Sequence, residues 1–129
     1  MGGIDYYRTF SRRVERLREK LVALVLEKRG QGARLAAYGA AAKGATMLNY
    51  LKLPEGAIDY VVDRNPHKVG KYMPGARLRI RPVEDLLVDR PDYLLVLAWN
   101  FANEILEQNQ EYSRRGGRFI VPVPEPKIV

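Results

Sequence analysis

The sequence predicts an α/β domain of Rossmann-like type: three layers built on about five mostly parallel strands, with a long amphipathic helix leading in. Three observations carry that prediction. Short apolar runs of strand length alternate with segments of helical period, which implies a parallel sheet closed by right-handed crossovers. Apolar residues near the start recur at helical spacing. A glycine-bounded turn, Gly39 to Gly44, joins the first strand to the helix after it. The 129 residues suit a single domain with one core, read as a helix over 5–29 and a sheet core over 33–124.

Phe10, Val14, Leu17, Leu21, Leu24 and Val25 form the apolar stripe of the first helix, and Gly30 and Gly32 in "RGQGAR" stop it. "RLAAY" is a short strand. The turn then opens a second helix whose apolar side holds Ala45, Met47, Leu48 and Leu51, and Pro54 ends it. "AIDYVVD" reads as the second strand and "RNPHKVGKYMPG" as a turn-rich loop. "LRIRP" is a short extended segment before a brief helix around "VEDLL". "DYLLVLA" is apolar nearly throughout, as in a strand buried on both faces. After "WN", one helix carries Phe101, Ile105, Leu106 and Tyr112 on one side. "RRGGRFIVPVP" is a Gly-Gly turn and a last strand, whose prolines put its end at the sheet edge or beyond it.

At 47% apolar and 29% charged residues the chain is of globular type. No apolar run approaches the ~20 residues of a membrane span. "MGGIDYYRTF" has no signal-peptide core either, so a cytoplasmic location is expected. Without cysteine, and with His67 as its one histidine, the chain excludes disulfides, thiol catalysis and cysteine- or histidine-rich zinc centres. The net charge of +7 owes much to Arg8, Arg12, Arg13, Arg16, Arg18, Lys20, Lys28 and Arg29. Glu15, Glu19 and Glu27 interrupt that stripe and no nucleic-acid motif accompanies it. It reads as a solvated helix face, and neither a nucleic acid nor a membrane is expected as partner. A basic surface would equally suit a small anionic ligand or an acidic neighbouring domain.

In Gly39-Ala40-Ala41-Ala42-Lys43-Gly44, the outer glycines match the first and third of the dinucleotide fingerprint. Gly39 suits a tight turn and Gly44 close packing of helix on sheet. Ala41 stands where a glycine normally lets a pyrophosphate touch the backbone, so a standard NAD pocket is weakened. A P-loop is excluded, because Lys43 precedes Gly44 and Ala45 follows it. An S-adenosylmethionine turn is poorly supported, since "LAAY" stands where an acidic residue usually precedes. Two readings stay open. Free N–H groups at the helix start, beside Lys43, suit one or two phosphates; alternatively the small residues serve packing alone.

Ligands of such sheets sit beyond the carboxyl ends of the strands. "GAAAKG", "DRNPHK" and "AWN" would converge there. Asp63 lies 24 residues after Gly39 (63 − 39), against about 20 for a ribose-binding acid. It is equally a strand-end Asp starting a turn before Asn65-Pro66. Trp99 suits stacking on a base or sugar, and Asn100 a hydrogen bond to a hydroxyl or base edge. Equally, Trp99 covers the end of the core and Asn100 caps the next helix. Tyr38 and Tyr72 are as readily packing as binding residues. His67 and Lys68 fall in an exposed loop, and His67 has no partner that would make it catalytic. No nucleophile–base pair assembles, so the residues describe a binding domain.

"YGAAAKGATMLNYLKL", "YVVDRNPHKVGKYMPG", "LLVLAWNFANEI" and "GGRFIVPVPEP" occur in that order. Together they resemble the C-terminal domain of S-adenosylmethionine-dependent C-methyltransferases acting on nucleotide-linked deoxysugars, over nearly the whole chain. The resemblance implies a Rossmann-like domain that helps hold a nucleotide diphosphate-keto-sugar. It implies too that zinc and S-adenosylmethionine belong to upstream domains, with no cofactor bound here. The upstream methyl-donor domain is the implied protein partner. The chain then looks like an excised domain or a stand-alone relative, which would bind substrate without transferring methyl groups. Carried over by position, Gly39, Ala40, Ala41, Ala42, Lys43 and Gly44 form the loop facing the nucleotide, with Lys43 near the diphosphate. Asp63, Asn65, Lys68, Trp99 and Asn100 line the rest of the rim. The rival reading is an independent nucleotide- or coenzyme-binding module; an interaction domain with a purely structural turn is a third.

Overall fold

The computed structural model describes residues 2–39, 42–73, 75, 77–122 and 125–129; for residues 2–11, 14, 42 and 43 it describes the backbone alone. Helix α1 (Gly2–Gly30) is followed by strand β1 (Leu35–Tyr38) and helix α2 (Ala42–Leu51). Strands β2 (Val61–Asp63) and β3 (Ile80–Pro82), helix α3 (Asp85–Asp89) and strand β4 (Tyr93–Val96) come next. A single 3-10 turn (Trp99–Phe101) leads to helices α4 (Ala102–Gln108) and α5 (Gln110–Arg114), then strands β5 (Arg118–Val121) and β6 (Lys127–Ile128). The strands form one sheet in the order β3-β2-β1-β4-β5-β6. Neighbours from β3 to β5 run parallel, and β6 is antiparallel to β5. This is the doubly wound order of the Rossmann folds, with the switch point between β1 and β4.

Side-chain alternation sorts the sheet into two apolar faces. Leu35, Ala37, Val61, Leu95 and Ile120 pack under α1 and α2 through Leu21, Val25, Ala45, Leu48 and Leu51. Ala36, Tyr38, Val62, Leu94, Val96 and Phe119 pack on the other side against Leu86, Ile105 and Tyr112 of α3, α4 and α5. Because both faces are covered, β4 reads as an unbroken apolar run. Of the predicted α1 stripe, Leu21 and Val25 are buried and Leu17 and Leu24 half-buried, while the side chains of Phe10 and Val14 lie outside the described residues. Arg29 fixes the end of α1 with two hydrogen bonds to Asp59, at 2.8 and 3.1 Å. Arg12, Arg13 and Arg16 stand exposed, as a solvated helix face requires. No helix among the described residues is long and apolar enough to cross a membrane.

Three elements differ from the sequence expectation. The sheet has six strands, because β6 returns to pair Ile128 with Ile120 and Lys127 with Val121. The last predicted strand, β5, is therefore an interior one, and the edges are β3 and β6. Two paired residues among prolines leave too little periodicity to be read as a strand. The single helix expected after "WN" is broken at Asn109, whose backbone sits at φ −115°. Its side-chain Nδ2 donates to the Ile105 carbonyl at 2.8 Å, so the side chain competes with the helical backbone for that acceptor. Finally, Phe101 belongs to the turn before α4 and is 52% exposed, off the apolar side where its spacing placed it.

Candidate functional site

The carboxyl ends of β1 and β4 meet at the glycine turn. Gly39 has φ +110°, a region costly for other residues, and its N–H donates to the Val62 carbonyl at 3.0 Å. A methyl group on it would meet Cβ of Ala98 at 3.2 Å. Gly44 is tighter still. A Cβ there would lie 2.4 Å from the Gly39 carbonyl oxygen and 3.3 Å from Cβ of Leu97. The first turn of α2 therefore rests directly on the end of β1, the close approach that the third fingerprint glycine permits. Ala40 and Ala41 lie outside the described residues, as do the side chains of Ala42 and Lys43.

Asp63 closes β2. Its Oδ1 accepts a hydrogen bond from the Asn65 N–H at 2.8 Å, and Asn65 Oδ1 accepts one from the His67 N–H at 3.0 Å. The Lys68 N–H bonds to the Asn65 carbonyl at 3.0 Å. Two successive Asx turns thus shape the loop, the use of Asp and Asn that turn chemistry favours. Asp63 also borders a cavity of about 530 Å³ with Tyr38, Arg64, Glu84, Gln108 and Asn109. Asn65 and Lys68 do not line it. His67 is exposed.

Trp99 and Asn100 lie beyond β4 in the 3-10 turn. Trp99 is 41% exposed, so it does not seal the core. Asn100 caps nothing: the residue before α4 is Phe101, and no side-chain cap bond is made there. Both line a second cavity of about 500 Å³, with Phe101, Glu104, Lys127 and Val129. The rim is thus divided, with Asp63 in one cavity, Trp99 and Asn100 in the other, and the glycine turn at the strands between them. A further cavity of about 580 Å³, bordered by Lys52, Glu55, Asp59 and Arg77, lies toward the amino end of β2.

Tyr38 is the polar floor of the Asp63 cavity, 6% exposed. Burial pushes its hydroxyl up from the ordinary tyrosine range; Arg64 opposes this, Asp63 adds to it, and a side-chain hydrogen bond with Asn109 opposes it. The group stays protonated at neutral pH. Arg64, Glu84, Gln108 and Asn109 were not singled out in the sequence. Arg64 follows Asp63 directly in the loop already suspected. Glu84, Gln108 and Asn109 come from the start of α3 and the end of α4, and only the sheet order brings them to β2. No group of three or more histidine or acidic side chains among the described residues could hold a metal.

The profile of the family described as "C-methyltransferase C-terminal domain" matches residues 1–124. A curated relative, the C-methyltransferase NovU of Streptomyces niveus, is 41% identical over 123 residues, which is 95% of this chain and 29% of that protein. The chain thus spans about three-tenths of the length of the relative it matches. With a match that runs from α1 through β5, and a doubly wound sheet beneath it, the chain belongs to the C-methyltransferase C-terminal domain family.

Proposed function

We propose that this domain holds the nucleotide diphosphate-sugar of an S-adenosylmethionine-dependent sugar C-methyltransferase. The whole enzyme would add a methyl group to the carbon beside the ketone of a nucleotide-bound keto-deoxysugar. The chemistry supplied by S-adenosylmethionine, and a structural zinc, belong in this reading to upstream domains of the cytoplasmic enzyme, which are also the partner of this one. The residues here are ill-suited to the methyl donor, since the turn lacks the usual preceding acid. Their work is binding and orientation. The observation that carries the reading is the seating of α2 on β1, allowed by Gly39 and Gly44. It places the N-terminal turn of a helix at the switch point, where backbone N–H groups and the helix dipole favour an anion. In this reading Gly39, Ala40, Ala41, Ala42 and Gly44 belong to the loop that faces the nucleotide, and Lys43 adds charge near the diphosphate. Asp63, Asn65, Lys68, Trp99 and Asn100 complete the rim on either side.

The test is calorimetric titration of the chain with thymidine diphosphate. Lys43→Ala should cost about 1.5–3 kcal/mol, the usual worth of a charge-assisted hydrogen bond. Unchanged affinity would remove Lys43 from the site.

A further inference from the structure

We propose that the amino-terminal half of α1 is a docking helix, and that its partner is an acid-flanked amphipathic helix in the remaining part of the longer methyltransferase. This surface presupposes the longer-enzyme reading. It lies by the last turn of α2, away from the glycine turn at its start.

Tyr7, Phe10, Val14, Leu17, Leu21 and Leu24 follow one another at spacings of 3, 4, 3, 4 and 3 residues. That is the seam of a helix that packs along a second helix. This domain uses only part of it. α1 has 29 residues, about 43 Å, over strands of at most four residues, about 13 Å. Toward its carboxyl end the seam enters the core: Leu21 is 1% exposed, and Val22 and Leu24 pack beside it. At Leu17 the cover is already partial. Among the described side chains of α1, the amino-most contacts are with Tyr50 in the last turn of α2. There Arg18 Nε donates to the Tyr50 carbonyl at 3.2 Å, and the Tyr50 hydroxyl to Glu15 at 3.5 Å. Beyond Glu15 the backbone stays helical for thirteen more residues, 2–14, about 20 Å. By register, Tyr7, Phe10 and Val14 continue the seam along that length.

Residues flanking a seam choose its partner. Over residues 6–20 they are Tyr6, Ser11, Arg13, Arg18 and Lys20, three of them basic and none acidic. Glu15 and Glu19 fall at outer positions of the helix, off the flanks. A second copy of the chain is therefore a poor occupant. In parallel pairing Arg13 would meet Arg18 of the other copy; in antiparallel pairing it would meet arginine or lysine again. Carboxylates at the facing positions turn each of these repulsions into an ion pair, so charge selects an acidic helix. The longer enzyme has the length to supply one. The chain spans 29% of the curated relative, which leaves 71% of that protein outside the match (100 − 29).

Amide-shift NMR on the 129-residue chain tests the chemistry. The probe is a synthetic peptide of about three heptads, with leucine along the seam and glutamate at the flanks; its control carries lysine at the flanks. The glutamate peptide should move the amides of residues 7–20 and leave the glycine turn unmoved. It should bind about tenfold more tightly than the lysine peptide. Arg13→Glu combined with Lys20→Glu should reverse that preference, and because both residues are exposed the variant should fold. Equal affinity for the two peptides, shifts centred elsewhere, or self-association of the chain through α1 overturns the proposal. Hydrogen exchange tests the source. In the isolated chain the amides of residues 6–14 should exchange faster than those of 17–29. In the intact S. niveus relative, the segment matched to α1 should be protected along its whole length. Equal protection of both halves in the isolated chain, or an unprotected amino half in the intact enzyme, also overturns it. Affinity for thymidine diphosphate is read separately by calorimetry, so the docking helix can fail while the nucleotide-sugar reading stands.

Discussion

Gly44 has little freedom to be anything else. Adding one methyl group would drive it into the Gly39 carbonyl oxygen at 2.4 Å, and neither backbone segment yields without lifting α2 from the sheet. Gly44→Ala should therefore lower stability by about 1–3 kcal/mol, the usual cost of overpacking, read from the midpoint of a urea unfolding curve. An unshifted midpoint would mean the helix end is not held against β1. The glycine spacing was legible in the sequence because a close approach leaves no alternative residue. Asp63 and Asn65 were legible as turn formers for a similar reason: their side chains bond the backbone two residues on, a purely local act. Asn109 was not. Its burial depends on α4 meeting the end of β1, a tertiary fact with no local signature.

The elements are tied at the amino end of the sheet by one polar cluster. Asp89, at the end of α3, accepts a hydrogen bond from the Tyr60 hydroxyl at 2.8 Å and pairs with Arg34 at 2.6 Å. The Arg81 guanidinium covers the Tyr60 ring at 4.3 Å. Burial alone would raise the Asp89 carboxyl, but the hydrogen bonds from Tyr60 and Arg34 outweigh it and hold the group below the ordinary carboxylate range. A depressed folded value means that stability is greatest above the unfolded carboxylate's titration, near pH 4, and is lost as pH falls through the folded value. Asp89→Asn should cost about 1 kcal/mol at pH 7, discounted for partial exposure, and progressively less below pH ~4. Denaturation curves across that range provide the measurement, and a pH-independent difference would dismiss the cluster. The mostly parallel sheet followed from apolar runs alternating with helical segments, whereas β6 and the break between α4 and α5 did not. The first is decided by pairing with a strand before it, and the second by one side chain's bond to the Ile105 carbonyl, neither of which hydrophobic period encodes.

At the scale of the molecule, the chain matches the C-terminal part of a longer enzyme's family and offers a rim without a nucleophile–base pair in its sequence. Supplied with S-adenosylmethionine and a nucleotide keto-sugar, it should therefore show no methyl transfer, monitored by mass spectrometry of the sugar. Turnover would reveal a catalytic centre in these residues.

The borders of the sheet have a consequence of their own. One border is β3, three residues long and ending in Pro82, which has no N–H to offer; the other is β6, only two residues long. Neither presents a ladder long enough to recruit a stranger's strand, so cross-chain β-association and fibril growth are discouraged. A fold with borders this blunt can be moved, fused or made in quantity with little risk of clumping through its sheet.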